Sequence, residues 1–455
     1  MYVRSQKTDM LHGSIWDKLI LFALPLALTA LLEQLFNVAD VAVLGQFVGK
    51  EAVAAVGNNL ALIALLVNLF IGLALGSNVV IARHLGGRRP DLVRQAVHTS
   101  WLLAVAAGFV LMLIGQLITT PVLTLLAVPG EVRPMAETYL RIYLLSLPFI
   151  SLYNFEAAIF RSRGNTQSPL AALLVSVAVN GVLNFLFVTI FADGVAGVAW
   201  ATVLAMALSA GILFICLLRD DSSIRLEWKK LGIQKALLQD IVQIGWPAAL
   251  QGMVFCLSNI LIQEAVNSLG PDVMAACSIG ITIEMAVYCI IVSFAQASTT
   301  FISQNFGAGK LRRCMDIMTW ALALDILFTL AVCGTVYFFS RPLVGLFNSD
   351  PQVAELTIMR IKWVLTLEFI QIFIDVFAGI MRGYGYSLPP AVLTMIGVCG
   401  VRITWIYTIF AWEPTYFTLI LAYPVSWTVT GVLMTIEYGR FRKHLIRRRH
   451  VQRLT

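Results

Sequence analysis

A dozen long apolar stretches, set apart by short polar or Gly/Pro-containing breaks, constrain this chain more than any other feature. They fall at roughly 15–44, 52–82, 93–119, 134–160, 168–191, 195–218, 237–268, 273–304, 316–339, 352–381, 388–411 and 416–439. Each reaches or exceeds the roughly 20 residues that carry a helix across a bilayer. In lipid the backbone must satisfy its own hydrogen bonds, so each stretch is expected to be a helix. Composition agrees: 59% of residues are apolar and 13% charged, against roughly 25% charged in soluble domains. The first stretch is too long, and too polar at its far end, for a cleaved signal peptide, and is read as a retained helix.

Basic residues set the orientation. Most Lys and Arg fall in alternate breaks, including Arg83, Arg88, Arg89 and Arg94, Arg161 and Arg163, Arg219 to Lys235, Lys310 to Arg313, and the tail from Arg440. This is the positive-inside pattern of a multi-pass membrane protein, with both termini cytoplasmic. The net charge of +7 is therefore topological, and no nucleic-acid partner is expected.

The chain also repeats itself. Pro25 and Asn37 match Pro247 and Asn259 at an offset of 222 residues. From there the offset is 221, pairing Ala54-Ala55 with Ala275-Ala276, Ser77 with Ser298, Gly86 with Gly307 and Pro121 with Pro342. Arg161, Gly164, Thr166 and Pro169 likewise pair with Arg382, Gly385, Ser387 and Pro390. The expected fold class is an all-α integral membrane protein with twelve transmembrane helices in two pseudo-symmetric six-helix lobes around a central cavity. The domains read as a lobe over 1–218, a cytoplasmic linker over 219–236, a second lobe over 237–440 and a basic tail over 441–455.

Within the first stretch Glu33, Asn37 and Asp40 are spaced i, i+4, i+7 and share a helix face. Acids at membrane depth are costly and are read as functional by default. Pro25, upstream, removes a backbone donor and permits a bend, so it is assigned as a hinge. A second stripe, Glu368, Gln371 and Asp375, repeats the arrangement in the other half, and Glu264 and Glu284 are candidates to line a cavity. Asp325 and Arg402 are read as a structural pair that neutralises itself. The seven cysteines are odd in number and form no CxxC pair, and the five histidines sit at loops or helix ends, so neither a disulfide frame nor a metal site is expected. No phosphate-binding loop or nucleophile set stands out, which argues against an enzyme.

Several motifs resemble one family. Asn37-Val38-Ala39-Asp40-Val41-Ala42-Val43-Leu44-Gly45, then Glu51-Ala52-Val53-Ala54-Ala55-Val56-Gly57, is similar to the first two spans of multidrug and toxic compound extrusion (MATE) antiporters. The loops at Gly86-Gly87 and Gly307-Ala308-Gly309 fit, as do Arg161-Ser162-Arg163-Gly164-Asn165-Thr166 and Met381-Arg382-Gly383-Tyr384-Gly385-Tyr386-Ser387. The resemblance covers roughly 15–440. It implies export of small organic cations across a bacterial plasma (inner) membrane, driven by entry of H+ or Na+. No other cofactor is expected, and the chain is expected as a monomer in the lipid bilayer. It also implies a cation site in the first lobe, at Asp40, Asn180, Asn184 and Thr202. Asn184 stands where the family has an Asp, which removes one negative charge and favours proton over sodium. Phe255 stands where some members have a Glu, whereas Asp375 matches their tenth-helix Asp. Two alternatives are a related flippase for a lipid-linked or polysaccharide precursor, which would want a more basic cavity, and a membrane-embedded enzyme.

Overall fold

Apolar side chains on nearly every face and backbone-satisfying geometry make this chain almost wholly helical. The computed structural model describes residues 8–125, 128–191, 193–348 and 350–454, with side chains described through Leu445. Arg4 and Lys7, basic residues ahead of the first apolar stretch, lie outside the described residues, as do the tail side chains beyond Leu445. The helices are α1 (Trp16–Phe47), α2 (Lys50–Gly86), α3 (Pro90–Leu125), α4 (Arg133–Leu144), α5 (Leu147–Ser162), α6 (Gln167–Phe185), α7 (Gly194–Leu218) and α8 (Lys235–Ser268). They continue as α9 (Pro271–Gly307), α10 (Leu311–Phe338), α11 (Ser340–Gly345), α12 (Pro351–Trp363), α13 (Gln371–Gly383), α14 (Leu388–Thr394), α15 (Val401–Trp405) and α16 (Tyr416–Leu454).

Among the described residues eleven helical segments are long and apolar enough to cross a membrane, and twelve if α4 and α5 count as one span. That pair, expected as a continuous helix over 134–160, is bent by 44°. Pro148 at the start of α5 explains the bend, because it supplies no amide hydrogen to the preceding turn. The matching stretch of the second half has no proline there, and its break is a 3-10 segment, Leu365–Ile370, between α12 and α13. Two further stretches are locally unwound into π turns. One follows α6 at Leu186–Ile190, and two flank α15 at Met395–Gly400 and Ile406–Phe410. Such turns often accompany functional sites.

The chain groups into two compact units. One holds Leu28–Ala249 together with Thr8 and Asp9, and the other holds Met10–Ala27 and Leu250–Thr455. Helices α1 and α8 each change unit two residues after their internal proline, Pro25 and Pro247. The two change-over points are therefore 222 residues apart, the offset of the sequence repeat.

The core of the first unit packs α2, α3, α5 and α7 around side chains such as Val79, Ile81, Ala96, Ile159 and Leu213. Helices α3 and α5 approach closely at Gly108, where a Cβ would lie 2.6 Å from the Pro148 Cα. Gly108→Ala is expected to destabilise by about 1–3 kcal/mol through overpacking. Gly211→Ala, where nothing lies within 4 Å, should stabilise by up to about 1 kcal/mol. Thermal unfolding of both variants in one detergent measures the contrast.

The segment after α7 lies packed against the first unit. Ile224 and Leu226 are buried, and Trp228 sits against Trp101 and Phe214. Arg163 pairs with Asp220 at 2.5 Å, and the Glu227 amide donates to His98 Nε2 at 3.1 Å. The Lys230 ammonium, bonded to Glu227, holds that carboxyl below its ordinary value of 4.5. This contribution is whole above that value and fades as the pH falls below it.

The second unit has its own core on α9, α10, α13 and α16, with Phe294, Phe301, Ile380 and Ile420 at its centre. It also gathers in the segment before α1. The carbonyl oxygens of Met10, Leu11 and Gly13 accept from Asn305, Lys310 and Arg313 at 2.8–3.0 Å.

Candidate functional site

In the first unit, α1 delivers Asp40 to a buried position at 3% exposure. Asn184, on the last turn of α6 before the π turn, donates from Nδ2 to Asp40 Oδ1 at 2.6 Å. The same Nδ2 also reaches Asn180 Oδ1 at 3.1 Å. From α7, Thr202 Oγ1 donates to Asp40 Oδ2 at 3.0 Å, and is also 3.1 Å from the Val198 carbonyl. Asn180, Asn184 and Thr202 are all at or below 2% exposure. The carboxylate therefore has only neutral donors. The Asn180 side chain also reaches the Asp40 carboxylate, whereas one buried polar atom of the set, Asn184 Oδ1, has no partner among the described residues. Tyr139 and Tyr143 of α4, stacked with ring centroids 5.9 Å apart, lie within electrostatic range of Asp40. Sequence reading missed them, although an i, i+4 tyrosine pair on a span was a visible signal.

The first-helix stripe does not act as one surface. Asp40 is buried, Asn37 is exposed and Glu33 is half-buried, near Arg161 and Tyr153 of α5. Seven residues of helix are about 10 Å of rise, enough for one face to meet different neighbours. Pro25 lies inside α1, which is helical throughout.

In the second unit Glu368 and Gln371 are buried and Asp375 is half-buried. The Gln371 side chain hydrogen-bonds Asp375, and Arg382 lies within range of that carboxylate. Glu368 Oε2 and Asp375 Oδ2 have no partner among the described residues. Glu264 is exposed on the last turns of α8. Glu284 is held at both oxygens by Arg360, Nε–Oε1 and Nη2–Oε2 each at 2.7 Å. The expected pair between Asp325 and Arg402 does not form. Asp325 accepts from Thr329 one turn along α10 at 3.2 Å, while Arg402 donates to Ser426 and Asn259. Opposite charge within spans does not pair side chains whose helices point them at different neighbours.

The MatE family profile matches residues 25–186 and 247–408, one copy in each half. The chain belongs to the MatE family. It is similar to the probable multidrug resistance protein YoeA of Bacillus subtilis (strain 168), 27% identical over 402 residues and covering 86% of each chain. It is equally similar to the probable multidrug resistance protein NorM of Thermotoga maritima, 27% identical over 405 residues, covering 86% of this chain and 84% of that one. Among solved structures, an outward-facing multidrug resistance MATE family transporter of the MOP superfamily has a TM-score of 0.90 at 19% identity. That likeness covers 98% of this chain and 99% of the other. As a MatE protein this chain is a multi-pass membrane transporter of the multidrug efflux class, and the enzyme reading falls away.

Proposed function

We propose that this MatE transporter exports organic cations from a bacterial cytoplasm in exchange for protons, with Asp40 as the coupling group. The observation that carries the reading is a buried carboxylate held by neutral donors beside an unpartnered amide oxygen, Asn184 Oδ1. Burying an anion without a counter-charge is expensive, and an arriving positive ion relieves that cost. An amide suits a proton switch. The ionised Asp40 accepts from Asn184 Nδ2, and the protonated Asp40 can donate to Asn184 Oδ1 once the amide turns over. Uptake and release then change which atoms of α1, α6 and α7 are tied. Such a change drives transport only if the two access states bind the proton with different affinity. Pro25 is the proposed place where α1 adjusts. Glu33 and Asn37 would line the route to Asp40, and Glu368, Gln371 and Asp375 offer a second negative group to an ammonium cargo. Glu284 has its charge matched by Arg360, and Glu264 stands at a helix end. The basic-residue bias supports cytoplasmic termini and a plasma-membrane address, and a single chain carries both lobes.

Reconstituted vesicles loaded with a panel of cationic dyes test the reading under separately imposed proton and sodium gradients. Efflux is expected to follow the proton gradient; efflux driven by sodium alone would overturn the assignment. Asn184→Asp adds the second carboxylate at 2.6 Å from Asp40 Oδ1. This variant is expected to gain sodium-dependent efflux, and an unchanged ion preference would mean that Asn184 does not set it.

A further inference from the structure

Arg402 is a buried guanidinium with no acidic partner among the described residues. It is 1% exposed and lies on α15 between two π turns. Its Nε donates to Ser426 Oγ at 3.1 Å. Its Nη1 reaches Asn259 Oδ1 at 3.5 Å, the outer limit of a hydrogen bond. The rings of Tyr423 and Phe255 cover it, with centroids at 4.4 and 5.5 Å. Every one of these partners is neutral. Arg360 lies on the same Tyr423 ring at 4.7 Å, but its charge is matched by Glu284. Glu368 lies within electrostatic range of Arg360, and Glu284 within range of Arg402, but neither carboxylate is hydrogen-bonded to Arg402. Aromatic faces offset part of the cost, yet an ion inside a span with no bonded counter-charge is kept for a function by default.

The sequence repeat gives the position a second meaning. At the offset of 221, Arg402 stands opposite Gly181, Tyr423 opposite Thr202 and Ser426 opposite Ala205. Asn259 stands opposite Asn37 at the offset of 222. The elements that surround Arg402 thus correspond to α1, α6 and α7, which surround Asp40. In the first unit they enclose a carboxylate with neutral donors. In the second they enclose a guanidinium with neutral acceptors and ring faces, so the polarity of the repeated site is inverted.

We propose that the Arg402 cluster binds the carboxylate of an aromatic organic cargo, so that carboxylate-bearing zwitterions and anions fall within the transporter's range. Asn259 is exposed on α8 and holds Arg402 by its longest contact, which a carboxylate would replace with a charge-assisted, two-point bond. Phe255 and Tyr423 supply the apolar faces for the ring. The inference rests on the efflux reading for the cargo's being carried, but not on proton coupling at Asp40.

Two dyes that differ only at the carboxyl group provide the test: rhodamine 110, with the free carboxylate, and rhodamine 123, its methyl ester. Fluorescence polarisation measures their equilibrium binding to the full chain in nanodiscs, with no ion gradient. Arg402→Gln is expected to weaken rhodamine 110 by about tenfold or more and rhodamine 123 by less than about twofold, with Arg402→Lys recovering part of the loss. Asn259→Asp places a built-in carboxylate beside Arg402, and should block rhodamine 110 selectively while raising the thermal unfolding temperature. This second variant keeps the test decisive if Arg402→Gln fails to fold. Equal loss for both dyes, loss for neither, or no binding of rhodamine 110 by the unaltered protein overturns the proposal. Because no gradient is applied, failure of proton-driven efflux leaves this result untouched, and failure here leaves the coupling assignment standing.

Discussion

Replacing Asp40 with Asn is expected to reduce gradient-driven efflux to background while leaving the protein folded and no less stable. The amide keeps the shape, and its oxygen can still accept from Asn184 Nδ2, which is 2.6 Å from Asp40 Oδ1. Its amino group can donate to Thr202 Oγ1, whose hydroxyl turns to accept. What disappears is the capacity to alternate between charged and neutral forms, and with it the ion's differential hold on two states. A carboxylate buried among neutral partners costs several kcal/mol that an amide does not, so thermal stability should stay level or rise. Asp40→Ala gives the contrasting result. It strands one hydrogen of the Asn184 amide in a buried setting, at a cost of about 1–3 kcal/mol, while the other keeps Asn180 Oδ1 and the Thr202 hydroxyl keeps the Val198 carbonyl. Efflux from proteoliposomes and thermal unfolding, measured on both variants, separate the two effects. Full proton-driven efflux by Asp40→Asn would remove Asp40 from the mechanism.

The second large effect concerns the scaffold of the other lobe. Glu284→Ala is expected to destabilise the protein by about 3–5 kcal/mol, because it leaves Arg360 charged and buried without its partner. The geometry is tight: two 2.7 Å bonds join the side chains, and Arg360 is 1% exposed. Room for the arginine stem comes from Gly280, one turn before Glu284, where a Cβ would lie 2.5 Å from the Arg360 Cδ. The double variant Glu284→Leu with Arg360→Met removes both charges and should recover most of the loss, since apolar replacement of a buried pair is close to neutral. Unfolding temperatures of the single and double variants form a cycle that isolates the pair. Additive losses would show that the two side chains are not coupled.

These results bear on how a membrane protein's charges are read. Asn184 and Thr202 lie 144 and 162 residues from Asp40, and pattern resemblance alone assembled them, with Asn180, in the sequence. Residue spacing on one helix grouped Glu33, Asn37 and Asp40, and the fold gave each a different environment. Opposite charge alone made partners of Asp325 and Arg402, which bond to different neighbours, and the pairing of Glu284 with Arg360 was overlooked. The π turns around α15 and after α6 had no sequence signal, because hydrophobic periodicity does not distinguish a π turn from an α turn.

The twelve apolar stretches, the 222-residue and 221-residue offsets and the basic loops are properties of hydrophobic length, turn residues and charge placement. Those act locally, so class, repeat and family could be read from the chain alone. Which buried ions meet depends on how helices far apart in sequence rotate and pack against each other, and no local pattern encodes that rotation. Only the tertiary structure therefore decided that Asp40 keeps neutral company, that Arg360 is matched by Glu284, and that Arg402 is hydrogen-bonded to neutral groups alone.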